Sequence, residues 1–507
     1  MKRIRFVGLM LVVATTALQG VGWSDGALCT DDGGTGGEWI GHQGPDVSGA
    51  KNQTAETLIG RDNVSQLQVV WRTADINTGG TIEGSTPTVS GRCVYVNGTD
   101  GFITAFDIET GAVVWRVQTA PEGSTQTYAN FVDNGRVYAN WGPSPGYGTA
   151  SDANTGEVLY TSEPVEFGYE FGETISGALV WDNIQFVPRS GPDFDVQARP
   201  GYALIDATTG VTLHKQTTLP EEMMEAGYAG GGIWATPVVD EESGYLFVGT
   251  ANPYSHTKES QYDNAILKID LARARDEMRE YVPSTEITNP FFGQIVDIYK
   301  GTLDPVIGNN PYDTPVCKEL GDTPPLYTLG SHPCLQADID FGGSPALFRD
   351  SLGRLLVGAI QKSSEFHAVL ADTMTLSWRT ILGNPIPPGT AGPDGNPAVD
   401  ENYVYTGTSG FLWALDKDEG GLGWVAFDGA FAFAPHSYQV ANGVVYSIQS
   451  NLMAFNSDDG TLLWTDVNGA NNDCMGRWGV RSGGLAIAHH TIILNCGTEL
   501  VAYRLPA

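Results

Sequence analysis

The stretch "AFDIETGAVVW", residues 105–115, has the form A-x-D-x-x-T-G-x-x-x-W. An apolar run leads to an aspartate, a Thr-Gly pair follows, and a second apolar run ends in tryptophan. An aspartate followed by threonine and glycine favours a tight turn, and the β-branched and aromatic residues on both sides favour strands. The stretch therefore predicts two antiparallel strands joined by a short turn.

Copies of this stretch recur along the chain. They are "ASDANTGEVLY" (150–160), "LIDATTGVTLH" (204–214), "AVLADTMTLSW" (368–378), "ALDKDEGGLGW" (414–424) and "AFNSDDGTLLW" (454–464), with a degenerate copy, "KIDLARARDEM" (268–278). Most copies follow a hairpin of the type "TPVVDEESGYLFVG" (236–249). One repeat is therefore four antiparallel strands. The repeats lie roughly 40 to 65 residues apart, except for one gap of 100 residues between Asp270 and Leu370, and repeats of this size are typical of β-propellers.

The last repeat, residues 483–505, has only three strands, and "LQVVWRTAD" (67–75) can supply the fourth. Pairing the first and last strands closes the ring and removes its edges. The prediction is an all-β protein with one domain over residues 39–507, an eight-bladed β-propeller of four-stranded antiparallel blades closed by an N-terminal strand. A segment rich in Pro and Gly predicts an insertion at 283–337, and "LARARDEMREY" (271–281) indicates a short helix.

Composition limits the partners and the compartment. The net charge of −32 excludes a nucleic-acid-binding surface, because such surfaces need clustered cations. The basic start "MKRIR" and the apolar run 6–18 predict a signal peptide within residues 1–28, cleaved between Leu18 and Leu28. No later run is apolar enough to span a membrane. We therefore expect a periplasmic or secreted protein.

Six cysteines lie beyond the apolar run. An even number in an exported chain favours disulfides, with 15 possible pairings. The local pairs Cys317–Cys334 and Cys474–Cys496 are the predicted ones. The chain has no C-x-x-C-H motif and so binds no covalent c-type haem.

The functional site of a propeller lies on its axis, where two loops of each blade meet. Prolines align four innermost strands, and the loops before them contain Glu83, Trp234, Asp340 and Asn396. The loops after the second strand are enlarged in three blades, as "RSGPDF" (189–194), "GTANPYSHTKESQYDN" (249–264) and "AIQKSS" (359–364). Carboxylates, an aromatic ring, an amide and an ammonium therefore converge at one end of the channel. The alternative is that these polar side chains, with water, only fill the axial void.

The repeats and these axial residues resemble the eight-bladed quinoprotein alcohol dehydrogenases, which depend on pyrroloquinoline quinone. Three stretches look most like the polyvinyl alcohol dehydrogenase branch: "GGGIWATPVVDEESGYLFVGTANPY" (230–254), "DIDFGGSPALF" (338–348) and "GAIQKSSEFHAVL" (358–370). The resemblance covers residues 39–505.

The resemblance implies a cofactor site and two catalytic residues. In the family the quinone lies flat on a tryptophan, which Trp234 matches. Asp340 matches the catalytic aspartate, which takes the hydroxyl proton while hydride passes to the quinone. Lys362 matches the cation beside the reactive quinone carbonyls. The further cofactor-binding residues that the resemblance implies are Glu83, Ser190 and Gly191.

The resemblance also implies a metal site formed by Asp193, Asn252 and Asp340. Asp193 stands where the family has a glutamate, so the charge is kept on a shorter arm. Oxygen ligands of this kind suit Ca²⁺. Lanthanide members have a second aspartate two residues after the catalytic one, where this chain has Gly342, which favours Ca²⁺ over a lanthanide. In a second possible register, Asp338 is the base and Asp340 the extra ligand.

Some family features are missing. No Cys-Cys pair is present, Gly232 replaces a threonine, and no matching arginine occurs in the second blade. The function implied is a periplasmic quinoprotein dehydrogenase that oxidises an alcohol, with secondary and polymeric alcohols as candidates, and reduces a separate cytochrome c or other acceptor. The alternative is a non-catalytic propeller that serves as a protein- or glycan-binding scaffold.

Overall fold

The structure is a computed structural model of the chain. It describes residues 28–73, 86–98, 101–120, 129–142, 145–168, 176–191, 197–255, 258–303, 339–383, 395–408, 410–428, 437–448, 452–466, 484–495 and 499–506. Eight four-stranded antiparallel sheets follow one another along the chain, which confirms the predicted eight-bladed β-propeller. We number them blades 1 to 8.

The strands of the first four blades follow one another along the chain from the innermost to the outermost. Blade 1 has Thr88–Ser90, Cys93–Asn97, Phe102–Asp107 and Val113–Gln118; blade 2 has Phe131–Asp133, Arg136–Trp141, Tyr147–Asp152 and Val158–Thr161. Blade 3 has Leu179–Trp181, Ile184–Arg189, Gly201–Asp206 and Thr212–Thr217; blade 4 has Val238–Asp240, Tyr245–Gly249, Ala265–Asp270 and Ile295–Lys300.

The other four blades have the same order, and the last closes the ring. Blade 5 has Ala346–Arg349, Leu355–Gln361, Glu365–Leu370 and Thr375–Ile381; blade 6 has Ala398–Val399, Tyr403–Thr408, Phe411–Asp416 and Leu422–Phe427. Blade 7 has Tyr438–Ala441, Val444–Ile448, Leu452–Asn456 and Leu462–Thr465; blade 8 has Leu485–Ala488, Thr491–Asn495, Leu500–Arg504 and Gln68–Arg72. The N-terminal strand Gln68–Arg72 pairs with Leu500–Arg504, as predicted.

The repeated motif joins neighbouring blades. Asp107 Oδ1 accepts hydrogen bonds from the backbone N–H and the hydroxyl of Thr110, which fixes the turn. Gly111 has φ of +69°, and a Cβ there would lie 2.6 Å from the Trp71 ring. The tryptophan of one blade thus packs under the turn glycine of the next, and its indole N–H donates to that turn, as Trp115 does to the Ala153 carbonyl at 2.9 Å. The same contact at Trp71 and Ile108 couples blade 8 to blade 1.

Residues 37–53, which we call the strap, lie inside the channel against the innermost strands. Its backbone forms antiparallel hydrogen bonds with Val89 of blade 1, through Trp39, at 2.7 and 2.9 Å. The strap also forms hydrogen bonds with the innermost strand, or a residue next to it, in each of the remaining seven blades. The strap residues involved are Ile40, Gln43, Val47, Ser48, Ala50, Lys51, Gln53 and Gly37. Because one segment contacts all eight blades, it links them around the axis. Nothing in the sequence repeats indicated this segment.

Two predictions in blade 4 are wrong. The stretch 271–281 is not a helix: it contains the two-strand hairpin Ala274–Arg275 and Tyr281–Val282. The buried ion pair between Arg275 and Asp270, at 2.7 Å, holds the chain in this path. The predicted insertion at 283–337 begins too early, because Ile295–Lys300 is the outermost strand of the blade. The hairpin separates the turn aspartate Asp270 from the turn glycine Gly293, so the repeat is not recognisable in the sequence here. The rest of the predicted insertion, residues 304–338, lies outside the described ranges.

Short helical turns occur at Val64–Gln66, a 3-10 helix, and at Glu221–Glu225. No helix within the described ranges is long and apolar enough to cross a bilayer. A disulfide joins Cys29 to Cys93, so the expectation of disulfides is confirmed. The two predicted local pairs, Cys317–Cys334 and Cys474–Cys496, each include residues outside the described ranges, as does nearly all of the predicted signal peptide.

Candidate active site

The glycine run before Trp234 shapes one wall of the axial site. Gly230 and Gly231 have φ of +117° and +72°, which other residues rarely adopt. Gly230 pairs with Pro253 in a β-bridge, and a Cβ on Gly230 would lie 2.5 Å from the Asn252 carbonyl oxygen. The glycines therefore bring the chain before Trp234 into contact with the loop that contains Asn252.

A glycine is required at position 232 because Ser190 of blade 3 lies against it. A Cβ at this position would lie 2.3 Å from Ser190 Oγ, so the threonine expected there cannot coexist with Ser190 in this packing. The Ile233 N–H donates to the Arg189 carbonyl, and the Ala251 N–H to the Gly232 carbonyl at 2.8 Å. Ser190 and Gly191 thus lie beside the run that leads to Trp234.

Trp234, Asp340 and Lys362 form one cluster, as the sequence predicted. Trp234 Nε1 donates to Asp340 Oδ2 at 3.0 Å, and Lys362 Nζ lies 3.2 Å from Asp340 Oδ1. Lys362 Nζ is also 4.8 Å from the centre of the Trp234 ring, within cation–π range. Asp340 and Lys362 are buried, whereas Trp234 is partly exposed. The repeat tryptophans Trp115 and Trp424 are buried between blades, so Trp234 differs from them in exposing part of its ring at the channel end.

Gly342 makes room for the Trp234 ring. A Cβ on Gly342 would lie 2.2 Å from the Cη2 and Cζ2 atoms of that ring and 3.2 Å from Asp340 Oδ1. No side chain can occupy this position unless Trp234 moves. A second carboxylate two residues after Asp340 is therefore incompatible with the observed position of the tryptophan.

The loop of Asn252 lies next to the segment that contains Asp340. The Phe341 N–H donates to the Thr250 carbonyl at 3.2 Å, which joins the segment of Asp340 to the loop of Asn252. A Cβ on Gly249 would lie 2.3 Å from the Phe341 carbonyl oxygen, so the two segments approach closely. The Asn252 side chain is buried. An amide and a carboxylate, both oxygen donors, are therefore brought to one end of the channel.

The predicted set is only partly covered by the described ranges. Glu83, Asp193 and Asp338 lie outside them, and their roles stay predictions. Within the described ranges, no three His, Cys, Asp or Glu side chains form a group that could hold a metal ion. The described donors, Asn252 and Asp340, are oxygen donors of the kind that suit a hard cation. The partly exposed Trp234 ring, with Lys362 beside it, suits a flat, anionic cofactor.

Two groups near the site were missed from the sequence. Asp263 is buried beside the glycine run, with Oδ2 accepting from the Ser260 N–H at 2.6 Å, and burial raises the pKa of its carboxyl to about 7. His42 of the strap lies inside the channel, with Nδ1 3.0 Å from Thr86 Oγ1. Asp263 is the fifteenth residue of the enlarged loop 249–264, where loop length was the only signal. Nothing in the repeat pattern pointed to His42.

Comparison with known proteins gives relatives over most of the chain. The chain is 25% identical over 439 residues to a protein named polyvinylalcohol dehydrogenase from Sphingopyxis sp. (strain 113P3), covering 74% of this chain and 60% of that protein. The chain is similar to the polyvinylalcohol dehydrogenases. The predicted resemblance to quinone-dependent alcohol dehydrogenases, and to this branch, is confirmed. The chain spans about three-fifths of the length of that polyvinylalcohol dehydrogenase.

Two solved structures and a family model share the fold. A quinohemoprotein alcohol dehydrogenase from Comamonas testosteroni is 14% identical, with a TM-score of 0.66 over 93% of this chain and 82% of that chain. A europium-containing methanol dehydrogenase is 13% identical, with a TM-score of 0.67 over 92% of this chain and 98% of that chain. The family model described as "Outer membrane protein assembly factor BamB" matches residues 62–165 and 362–506. At 14% and 13% identity, the likeness to these two solved structures shows the fold alone.

Proposed function

We propose that the chain is a quinoprotein dehydrogenase that oxidises an alcohol, with Asp340 as the base. The observation that carries the proposal is the cluster of Trp234, Asp340 and Lys362 at one end of the channel. A propeller that only binds other proteins has no need of a partly exposed tryptophan hydrogen-bonded to a buried carboxylate. When bound, pyrroloquinoline quinone supplies a carbonyl that accepts hydride from the carbinol carbon.

Asp340 is held ready to take the hydroxyl proton. The indole N–H and the ammonium of Lys362 both contact the carboxylate, and each stabilises its charged form. A charged carboxylate can accept the proton as the alcohol becomes a carbonyl compound. Lys362 also places a positive charge beside the site, where it would stabilise negative charge on a bound quinone.

Trp234 would be the surface on which the quinone stacks. A large partly exposed ring offers apolar contact area to a flat cofactor. Its hydrogen bond to Asp340 Oδ2, at 3.0 Å, fixes the ring relative to the base. Stacking on Trp234 would therefore set the distance between the cofactor and Asp340.

A cation held by Asp193, Asn252 and Asp340 would polarise the quinone carbonyl as a Lewis acid. We propose Ca²⁺ rather than a lanthanide. Gly342 supports this choice, because a side chain there would overlap the Trp234 ring and so could not supply the extra carboxylate of lanthanide enzymes. The register with Asp340 as base is supported by its contacts with Trp234 and Lys362.

The proposed compartment is the periplasm or the extracellular medium. The Cys29–Cys93 disulfide supports it, since disulfides persist in oxidising compartments. The proposed electron acceptor is a separate cytochrome c or another redox partner; this sequence contains no C-x-x-C-H motif. The proposed substrates are secondary or polymeric alcohols, by analogy with the polyvinylalcohol dehydrogenases.

Reconstitution tests the function and the metal together. Purified protein is incubated with pyrroloquinoline quinone and either Ca²⁺ or La³⁺, and dye reduction is followed with a secondary alcohol as substrate. We expect turnover with Ca²⁺ and none with La³⁺. Activity restored by La³⁺ alone would reverse the assignment of Asp338 and Asp340. Absence of turnover with every alcohol and both metals would contradict the proposed function.

A non-catalytic scaffold is the second candidate. The match of the family model for an outer membrane protein assembly factor favours it, although this model covers residues 62–165 and 362–506 and leaves out Trp234, Asn252 and Asp340. A scaffold predicts no quinone binding and no loss of partner binding when Asp340 is changed. The same reconstitution therefore separates the two functions.

A further inference from the structure

The strap carries two basic side chains into the channel of an acidic protein. The chain has 59 Asp and Glu residues against 27 Lys and Arg residues. Nevertheless, His42 and Lys51 of the strap are buried inside the ring, with exposed fractions of 8% and 1%. Lys51 Nζ donates to the His42 carbonyl oxygen. Burial lowers the pKa of Lys51 to about 7, and no carboxylate within the described ranges counteracts this shift. A buried ammonium at this position lacks a described counter-charge.

His42 lies beside residues that precede the innermost strands, at the end of the channel that holds the candidate site, and the Lys51 ammonium reaches the His42 carbonyl from the same strap. His42 Nδ1 is 3.0 Å from Thr86 Oγ1. A Cβ on Gly177 would lie 3.1 Å from the His42 Cβ and 3.0 Å from Thr236 Oγ1, two residues after Trp234. His42 is therefore one layer of residues away from Trp234, and Lys51 is next to His42.

A buried charge without a partner is unfavourable, and an anion bound nearby removes that penalty. Pyrroloquinoline quinone carries three carboxylates. A unit charge acting over roughly 10 Å at an effective dielectric constant of about 20 changes a dissociation constant on the order of tenfold. Inside the ring the interaction is screened by salt much less than at the surface.

We propose that Lys51, presented by the strap, is an electrostatic determinant of cofactor binding that attracts the carboxylates of the quinone in the pocket next to it. The inference rests on the proposed function and adds a residue to it. Lys51 acts through its charge and need not touch the cofactor. The strap would then have two roles, linking the blades and making the channel attractive to an organic polyanion.

The test compares a charged ligand with its neutral form. Dissociation constants for pyrroloquinoline quinone and for its trimethyl ester are measured by fluorescence titration in one Ca²⁺-containing buffer. The proteins are the unaltered chain, Lys51→Met and the charge-preserving Lys51→Arg. We expect Lys51→Met to weaken binding of the quinone about tenfold and of the ester less than about twofold. Lys51→Arg should bind both ligands nearly as the unaltered chain does.

Equal weakening for both ligands would show that Lys51 serves packing and would overturn the inference. Unchanged affinity for the quinone would overturn it as well. If Lys51→Met does not fold, Lys51→Gln, which keeps a donor for the His42 carbonyl, takes its place with the same expectation. If the unaltered chain binds neither ligand, the proposed function itself is contradicted. If the unaltered chain binds the quinone but the variants do not show the expected difference between the two ligands, only the role of Lys51 is contradicted.

Discussion

Asp340→Asn is expected to lower turnover by about 10²–10⁴-fold, the range that a general base contributes. Asparagine can still accept the indole N–H of Trp234, but its amide cannot take a proton from the alcohol. The quinone should remain bound, because Trp234 and Lys362 are unchanged. The measurement is dye-linked activity of the reconstituted variant, normalised to the quinone that it retains.

Asp350→Asn is a matched control on the same blade. Asp350 is also a buried carboxylate paired with a cation, Arg354, at 2.6 Å, but it follows the innermost strand of blade 5, at the opposite end of the channel from Asp340. We expect this variant to keep its turnover per bound quinone. Equal losses in the two variants would mean that Asp340 acts through stability, and the assignment of the base would be wrong.

Trp234→Ala is expected to weaken quinone binding by about 100-fold or more. Removing the ring takes away most of the apolar contact area of a stacked cofactor and the stacking interaction itself. Because Trp234 is partly exposed, the free energy of unfolding should change little. Quinone retained after gel filtration and the unfolding curve are measured on the same preparation.

Trp115→Ala is the opposite case and serves as the control. Trp115 is buried between blades 1 and 2 and donates to the Ala153 carbonyl, so its loss should lower the free energy of unfolding by ~3–5 kcal/mol. The folded fraction should still bind the quinone. If Trp234→Ala were the destabilised variant and bound the quinone normally, Trp234 would be a packing residue.

The fold was predictable because its repeat is local. Asp107, Thr110 and Gly111 fix a turn within a few residues, and the tryptophan that packs on the glycine recurs at a fixed distance. The strap and the blade 4 hairpin were not predictable in this way. The strap is held by backbone hydrogen bonds that leave no residue pattern, and the hairpin is held by the contact of Arg275 with Asp270 and with the Tyr245 ring. Tertiary contacts there override a sequence that favours a helix.

The candidate site was predictable where residue type carries the chemistry. Trp234, Asp340 and Lys362 were expected to converge, and they do so through direct contacts. Gly342 was expected to favour Ca²⁺ through a missing charge, whereas the structure adds a steric reason, the position of the Trp234 ring. His42 and Lys51 were not predictable, because their place in the channel depends on the path of the strap.

The most direct test of the account is a single turnover of bound quinone. Protein reconstituted with pyrroloquinoline quinone and Ca²⁺ is freed of excess cofactor and mixed with a secondary alcohol without any electron acceptor, while the absorption spectrum is recorded. We expect one quinone per chain, reduced by the alcohol with formation of one equivalent of ketone. Protein that retains no quinone, or quinone that stays oxidised in the presence of every alcohol tried, would contradict it.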